Sequence, residues 1–157
     1  MSHKVLIFLA VLVVAIMESC SGPDLFRGSY SYRTSGKVYF HNLAVKNESE
    51  TGQLTITKTG RDSVMLLVRP LVNDVYYLRG SAKGDSLFLN DIHTEKSVTV
   101  GEKTYNVSYV VSGKGRLSDG TLLLKRKCEG IIYDNTYMPI GIISSDEIIT
   151  IATPNKE

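Results

Sequence analysis

The chain has 157 residues, of which 22% are charged and 43% are hydrophobic, and its formal net charge is +2. These values are those of an ordinary globular domain, so they exclude wholesale disorder, a collagen-like fibre and a protein with several membrane spans. The small net charge gives no reason to expect a nucleic-acid partner. A chain of this length can bury a core without a metal or a disulfide.

The amino-terminal segment is apolar. Lys4 is followed by an uncharged run of 13 residues, from Val5 to Met17. A membrane-spanning helix needs about 20 residues, so this run is too short to cross a bilayer comfortably. A cation followed by a short apolar stretch is typical of the first two regions of a secretory signal peptide. The sequence therefore predicts that the protein is exported.

Cys20 follows the small residue Ser19 just after this run, and the pair resembles the lipobox of bacterial lipoproteins. In that family the cysteine sulfur receives a diacylglyceryl group and the peptide bond before it is cut. Glu18 and Met17 depart from the usual pattern. The alternative is ordinary cleavage after Ser21, which would leave a soluble secreted or periplasmic protein. Two or three acyl chains, at about 0.8 kcal/mol per buried CH₂, would make a permanent membrane anchor.

The chain is accordingly divided into a signal peptide at 1–19, a tether at 20–24, a β-barrel domain at 25–152 and a tail at 153–157. The predicted location is the cell envelope. There the protein is expected to be an outer-membrane lipoprotein on the periplasmic or the surface face, with the barrel in water.

After the tether, the apolar residues recur with a period of two. Tyr105, Val107 and Tyr109 alternate with polar residues, which is typical of half-buried strands. Turn-forming groups such as 83–85 and 118–120 separate the strands. No segment has a sustained helical period, and 41–50 is predicted to be a loop. We expect one antiparallel barrel of roughly eight to ten strands, or alternatively a two-sheet sandwich.

Three of these strands are apolar on both faces, namely Ser63 to Val68, Thr121 to Leu124 and Glu147 to Ile151. A strand that is wet on one side should alternate, so this pattern predicts cover on both sides. A second sheet, a loop or a dimer partner could supply it. A barrel whose inner face lines an apolar cavity, with its outer face on a loop or membrane, is the other interpretation.

Several of these segments resemble a known family. Lys103-Thr104-Tyr105-Asn106-Val107 and the stretch from Ser112 to Leu124 are similar to the late hairpins of the calycin-like barrel domains found in lipoproteins of anaerobic Gram-negative bacteria. Leu25 to Tyr30 and Gln53 to Ile56 fit the same layout, so the resemblance covers most of 25–152. The chain lacks the Gly-x-Trp of true lipocalins, because it has no Trp. The resemblance implies a lipocalin-related barrel and no established ligand or reaction.

Catalytic patterns are missing from the sequence. Asp91, His93 and Glu95 share one face of an extended segment, but no second ligand cluster accompanies them, so we predict no metal. The acidic pair Glu48 and Glu50 is predicted to lie on the surface. No phosphate-binding loop or nucleophile elbow is present. We therefore predict a protein that is not an enzyme and has no cofactor.

The remaining cysteine, Cys128, follows three cations, which lower the pKa of a neighbouring thiol. No base accompanies it, so we predict a small, partly buried strand residue rather than a nucleophile. If Cys20 is acylated, the chain cannot form an internal disulfide, because it has only these two cysteines.

Nine tyrosines are the one compositional excess. They either bridge core and solvent at the barrel ends or line a binding cavity. The residues predicted to bind a ligand are Tyr76, Tyr77, Tyr105 and Tyr109. One functional hypothesis is a lipid-anchored binding module that holds a small apolar ligand in the barrel. The other is a structural lipoprotein with a filled barrel that docks on an envelope complex.

Overall fold

The computed structural model describes residues 22–41 and 44–155. A short helix, α1, precedes nine strands. The elements are α1 (Pro23–Phe26), β1 (Gly28–Phe40), β2 (Ala44–Lys58), β3 (Ser63–Pro70), β4 (Tyr76–Lys83), β5 (Ser86–Val100), β6 (Lys103–Ser118), β7 (Thr121–Tyr133), β8 (Pro139–Ser145) and β9 (Ile148–Pro154). Thus α1 begins inside the predicted tether, and β9 extends two residues past the predicted end of the barrel.

Each strand pairs antiparallel with its neighbour in the chain, from β1 through to β8. The ring closes because β1 pairs with β2 on one side and with both β8 and β9 on the other. The same two strands also pair with successive parts of β7. This topology confirms the predicted single antiparallel barrel and excludes the two-sheet sandwich. It is the up-and-down order of the lipocalin-type barrels.

β8 and β9 lie end to end and together form the last strand of the barrel. On β7, Glu129 pairs with Ser144, whereas Arg126 pairs with Ile148, so the last strand has one extra residue at this point. Such a bulge bends a strand and increases its local twist. The backbone N–H of Asp146 donates to the Lys37 carbonyl oxygen at 3.1 Å, which holds the bulge against β1.

The segment 41–50 was predicted to be a loop, and that prediction is wrong for most of it. β2 begins at Ala44 and stays in register with β1 as far as the Gly28 to Ile56 pair. The segment is polar because much of it is exposed to solvent at the open half of the barrel. The backbone hydrogen bonds to β1 hold it extended although few of its side chains are buried.

The half of the barrel that contains the amino-terminal end of β1 is filled. Its core includes fully buried leucines at positions 66, 87 and 122. α1 covers this end, because Phe26 is buried in the same cluster and its carbonyl oxygen accepts a hydrogen bond from the Tyr30 hydroxyl at 2.9 Å. We call this end of the barrel the closed end.

The opposite half is wider because β4 and β5 diverge. They pair only over Gly80–Lys83 with 86–89, and from Ile92 onward β5 pairs with β6 alone among the described residues. Side chains of β1, β6, β7, β8 and β9 form a second apolar cluster here. We call the end of the barrel in this half the mouth.

The outer faces are less covered than the sequence predicted. Leu123 and Ile151 form a cross-strand pair on the outside of β7 and β9, and both are partly exposed. Within the described residues no second sheet or loop packs on them, so apolar cover on both faces is not observed there. No helix in the described ranges is long and apolar enough to cross a bilayer.

Candidate functional site

The mouth half contains a cavity of about 710 Å³. This volume is within the range of small-molecule sites in proteins, which is about 300 to 1,000 Å³. Strands from around the barrel supply its apolar walls. These side chains are Val38, Phe40, Leu78, Ile92, Val98, Val111, Cys128, Ile143 and Ile148. The cavity is therefore large enough for a ligand, and its lining combines these apolar side chains with polar and charged ones.

Inside the closed half, the described residues leave much less space. The void recorded there measures about 10 Å³ and lies beneath the cavity, with Leu54, Leu66 and Leu124 among its lining residues. That volume is at the lower limit for a single water molecule. The barrel is thus filled in one half and open in the other, which is not the fully filled barrel of the structural hypothesis.

The floor of the cavity is polar, and Glu50 is one of its residues. One carboxylate oxygen accepts hydrogen bonds from the hydroxyls of Tyr32 at 2.7 Å and Tyr76 at 3.0 Å. The other accepts from the side-chain amide of Asn73 at 3.2 Å. The carboxylate therefore connects β1, β2, β4 and the loop after β3. The prediction that Glu50 is a solvated surface residue is wrong, because its strand turns this side chain toward the barrel axis.

Arg126 is the cation at this floor, and it lines both the cavity and the small void below it. Its Nη2 donates a weak hydrogen bond to the Thr150 hydroxyl at 3.4 Å, and that hydroxyl is 2.7 Å from the Thr34 hydroxyl. The Nε of Arg126 is buried and has no hydrogen-bond partner among the described residues. A buried donor left unpaired costs about 1–3 kcal/mol. An acceptor placed beside Arg126 would remove that cost.

Two further cations reach the cavity wall. Lys96 lies over the Tyr109 ring, with 5.5 Å between its Nζ and the ring centroid. Lys46 forms an ion pair with Glu48 at 3.2 Å. Arg126 and Lys96 have no ion pair among the described residues. The lining carries three cations (Lys46, Lys96 and Arg126) against two carboxylates (Glu48 and Glu50), so its formal charge is +1.

Four tyrosines were predicted from the sequence to bind a ligand, and the structure places them in four different environments. Tyr76 is half-buried at the floor, and desolvation raises its pKa to about 12. Tyr109 is on the wall beside Lys96. Tyr77 is on the edge of the cavity and 60% exposed, on the outward-facing side of β4. Tyr105 packs against the apolar cluster of the mouth half and is not part of the cavity lining.

Sequence reasoning missed Arg126, although a signal for it exists. Arg126 stands between two lysines and reads as part of a solvated basic run. It also has the same parity as Leu122, Leu124 and Cys128, which are all buried. Because residues two apart in a strand share a face, that parity places the guanidinium inside the barrel.

Cys128 lines the same cavity next to this floor. It is buried as a free thiol, and desolvation raises its pKa to about 11. Because the thiolate is the reactive form, this cysteine is a poor nucleophile at neutral pH. In this site it contributes apolar surface.

No three His, Cys, Asp or Glu side chains come together in the described ranges in a way that could hold a metal ion. The proposed lipid attachment residue, Cys20, lies outside the described residues, as does the predicted signal peptide at 1–19.

No protein-family model matches the chain. No curated protein matches it either. A solved structure that it resembles is the crystal structure of a single-residue mutant of the fluorescent protein UnaG, with 11% sequence identity and a TM-score of 0.36. The match covers 85% of this chain and 99% of that one. The assignment of the barrel rests on the strand pairing of this chain itself.

Proposed function

We propose that this chain is an exported, lipid-anchored binding protein whose barrel holds a small amphipathic molecule in the cavity of its mouth half. The observation that carries the proposal is the combination of a cavity of about 710 Å³ with a buried guanidinium nitrogen at its floor that has no partner in the described residues. The ligand's apolar body would contact the aliphatic walls, and its anionic group would approach Arg126.

The two parts of such a ligand are recognised by different physical effects. Removing apolar surface from water contributes about 25 cal/mol per Å², whatever the detailed shape of the molecule. An anion beside Arg126 adds orientation, because a guanidinium presents its donors in a rigid planar fork that matches a carboxylate or phosphate. The polar floor would therefore favour the orientation in which the anionic end of the ligand enters the cavity first.

The anchor part of the proposal is supported by the sequence alone. The apolar run from Val5 to Met17 is the right length for an export signal, and Cys20 stands where that signal should end. Acyl chains on Cys20 would hold the protein on a membrane with the barrel in water. Ordinary cleavage near Ser21 would instead release a soluble binding protein with the same cavity.

A second candidate function is docking on another envelope protein. It is favoured by apolar side chains that are exposed in two loops at the mouth. They are Leu71, Val72 and Val75 before β4, and Tyr137 and Met138 before β8. If the barrel were filled, docking would be the main role that remains for the protein, but the mouth half is not filled. We therefore place the docking function second.

Blocking the cavity tests the proposal. Ile143 on β8 is 3% exposed and lines the cavity, whereas its neighbour Ile142 is 57% exposed and points outward. Anilinonaphthalene sulfonate, which combines aromatic rings with one anionic group, serves as the fluorescent probe. We expect the mature protein and Ile142→Phe to bind it with the same dissociation constant, and Ile143→Phe to bind it much more weakly. Equal binding by all three proteins would contradict a site inside the barrel.

A further inference from the structure

The chain enters the barrel at the closed end. Gly22 and Pro23 are buried, and Gly22 lies close to the Ala82 carbonyl, near the end of β4. In α1, the Asp24 carboxylate forms an ion pair with Lys58 at 2.7 Å, at the last residue of β2. These contacts fix the first described residues to the end of the barrel that lies opposite the mouth.

Little chain is left between this fixed point and the proposed lipid anchor. Only Ser21 separates Cys20 from Gly22. A fully extended chain covers at most about 3.6 Å per residue, so the acylated residue lies within about 7 Å of Gly22. By comparison, β1 has 13 residues. At about 3.3 Å per residue and a tilt of about 40°, such a strand covers about 30 Å along the barrel axis.

We propose that the barrel stands with its closed end on the membrane that holds the acyl chains of Cys20, so that the mouth opens away from that membrane. The inference rests on the proposed anchor at Cys20. The surface that meets the lipid headgroups comprises α1 and the turns after β2, β4 and β6. A ligand would then enter the cavity from the aqueous side, because the bilayer that carries the protein lies at the opposite end.

In the competing arrangement, the loops at the mouth of the barrel contact the membrane. Val72 is 92% exposed in the loop after β3, and Tyr137 and Met138 are exposed in the loop after β7. Exposed apolar side chains of this kind partition into a bilayer interface when they can reach it. A tether of about 7 Å is too short to let a barrel of about 30 Å stand on the same membrane with its mouth down. A barrel on such a tether could still lie on its side, with these loops in contact with the lipid.

Two labels at opposite ends of one strand distinguish the arrangements. Arg61 precedes β3 at the closed end, and Val72 follows β3 at the mouth, and both are exposed. Arg61→Cys and Val72→Cys are expressed as full-length chains in a Gram-negative host and labelled with a maleimide fluorophore. The wild-type chain controls for labelling of the buried Cys128. The lipoproteins are placed in phosphatidylethanolamine and phosphatidylglycerol vesicles that contain a lipid with a nitroxide headgroup.

We expect the label at position 61 to be quenched several-fold more strongly than the label at position 72. Equal quenching, or stronger quenching at position 72, would overturn the orientation while the anchor stands. Mass spectrometry of the wild-type protein reports separately on the anchor. A mature chain that carries no acyl groups would overturn both the anchor and the orientation, and it would leave the cavity unaffected as a binding site.

Discussion

The hydroxyl of Tyr32 donates a hydrogen bond of 2.7 Å to the carboxylate of Glu50, although the two residues are not directly opposite in the sheet. In the ladder of β1 and β2, Tyr32 pairs with Gly52 and Glu50 pairs with Thr34. The tyrosine therefore reaches diagonally by two residues toward the mouth, a distance within the range of a long aromatic side chain. This diagonal contact lies at the boundary between the filled and the open half of the barrel.

Replacing Glu50 should destabilise the protein, because the part-buried hydroxyls of Tyr32 and Tyr76 and the exposed amide of Asn73 lose their acceptor. A fully buried donor left unpaired costs about 1–3 kcal/mol, and water can reach some of these donors, so we expect Glu50→Ala to lower the free energy of unfolding by about 1–2 kcal/mol. Urea denaturation measures the change. Glu48→Ala is the matched control, since it removes only an ion pair with Lys46, and such pairs are worth about 0–1 kcal/mol. Equal losses in the two variants would contradict the role given to Glu50.

Stability should fall at alkaline pH in part through Tyr76. Burial raises its pKa to about 12 from its ordinary value of 10.0, so the folded state favours the neutral phenol. Its contribution is fully present below pH 10 and is lost as the pH rises through about 12. Over that window, Tyr76→Phe should lose stability less steeply than the wild type in urea denaturation. The exposed neighbour provides the control, and Tyr77→Phe should keep the wild-type slope.

A leucine inside the closed half and a leucine that borders the cavity should respond differently to the same truncation. Leu87 is fully buried in the closed half, whereas Leu78 lies at the edge of the same cluster and lines the cavity. Leucine-to-alanine changes in cores cost about 2–5 kcal/mol, and the cost rises with the size of the new void. We expect Leu87→Ala to lie at the upper end of that range and Leu78→Ala at the lower end, as measured by chemical denaturation. A larger loss at Leu78 would indicate that the mouth half is packed.

Sequence patterns predicted the barrel because nearly every strand needs one wet and one buried face. Tyr30, Tyr32 and Thr34 are buried on β1 while the residues between them are exposed, as the alternation requires. The same rule wrongly predicted a loop at residues 44–50. A polar strand near the mouth has few buried side chains, and hydrogen bonds to the backbone of its partner strand hold it extended. Its extended form is decided by pairing with β1, which no local pattern records.

The candidate site was only partly predictable for a related reason. Alternation shows that a side chain points inward, but it does not show whether the space there is filled. Leu124 and Arg126 have the same parity, yet one packs in the closed half and the other borders the cavity. The cavity results from the divergence of β4 and β5, which depends on the register between strands. Glu50 and Arg126 both lie at the floor of the cavity, although their strands are far apart in the sequence.

Thiol counting should report on the lipid anchor. If Cys20 carries a thioether-linked lipid, the mature protein has one free thiol, that of Cys128. We expect Ellman's reagent to detect no thiol in the native protein and one after denaturation, because Cys128 is buried and its pKa is raised to about 11. The Cys20→Ser variant should leave the membrane fraction. Cleavage after Ser21 would remove Cys20 and also leave one thiol, so the count is combined with fractionation of the wild-type protein. Two thiols in the denatured mature protein, or a wild-type protein that is missing from the membrane fraction, would show that Cys20 is not acylated.

If the cavity binds an amphipathic anion at Arg126, the protein should distinguish ligands that differ only in the charge of their head group. Dissociation constants of dodecanoate and dodecanol are measured by displacement of anilinonaphthalene sulfonate, below the micelle concentration, for the wild type, for Arg126→Met and for the outward-facing control Arg33→Met. Hydrogen bonds to charged groups are worth about 1.5–3 kcal/mol, so the wild type and Arg33→Met should prefer the carboxylate by about tenfold or more. Arg126→Met should lose that preference and still bind the alcohol. Equal affinities in the wild type, or a preference that survives Arg126→Met, would show that Arg126 does not bind the anionic head group.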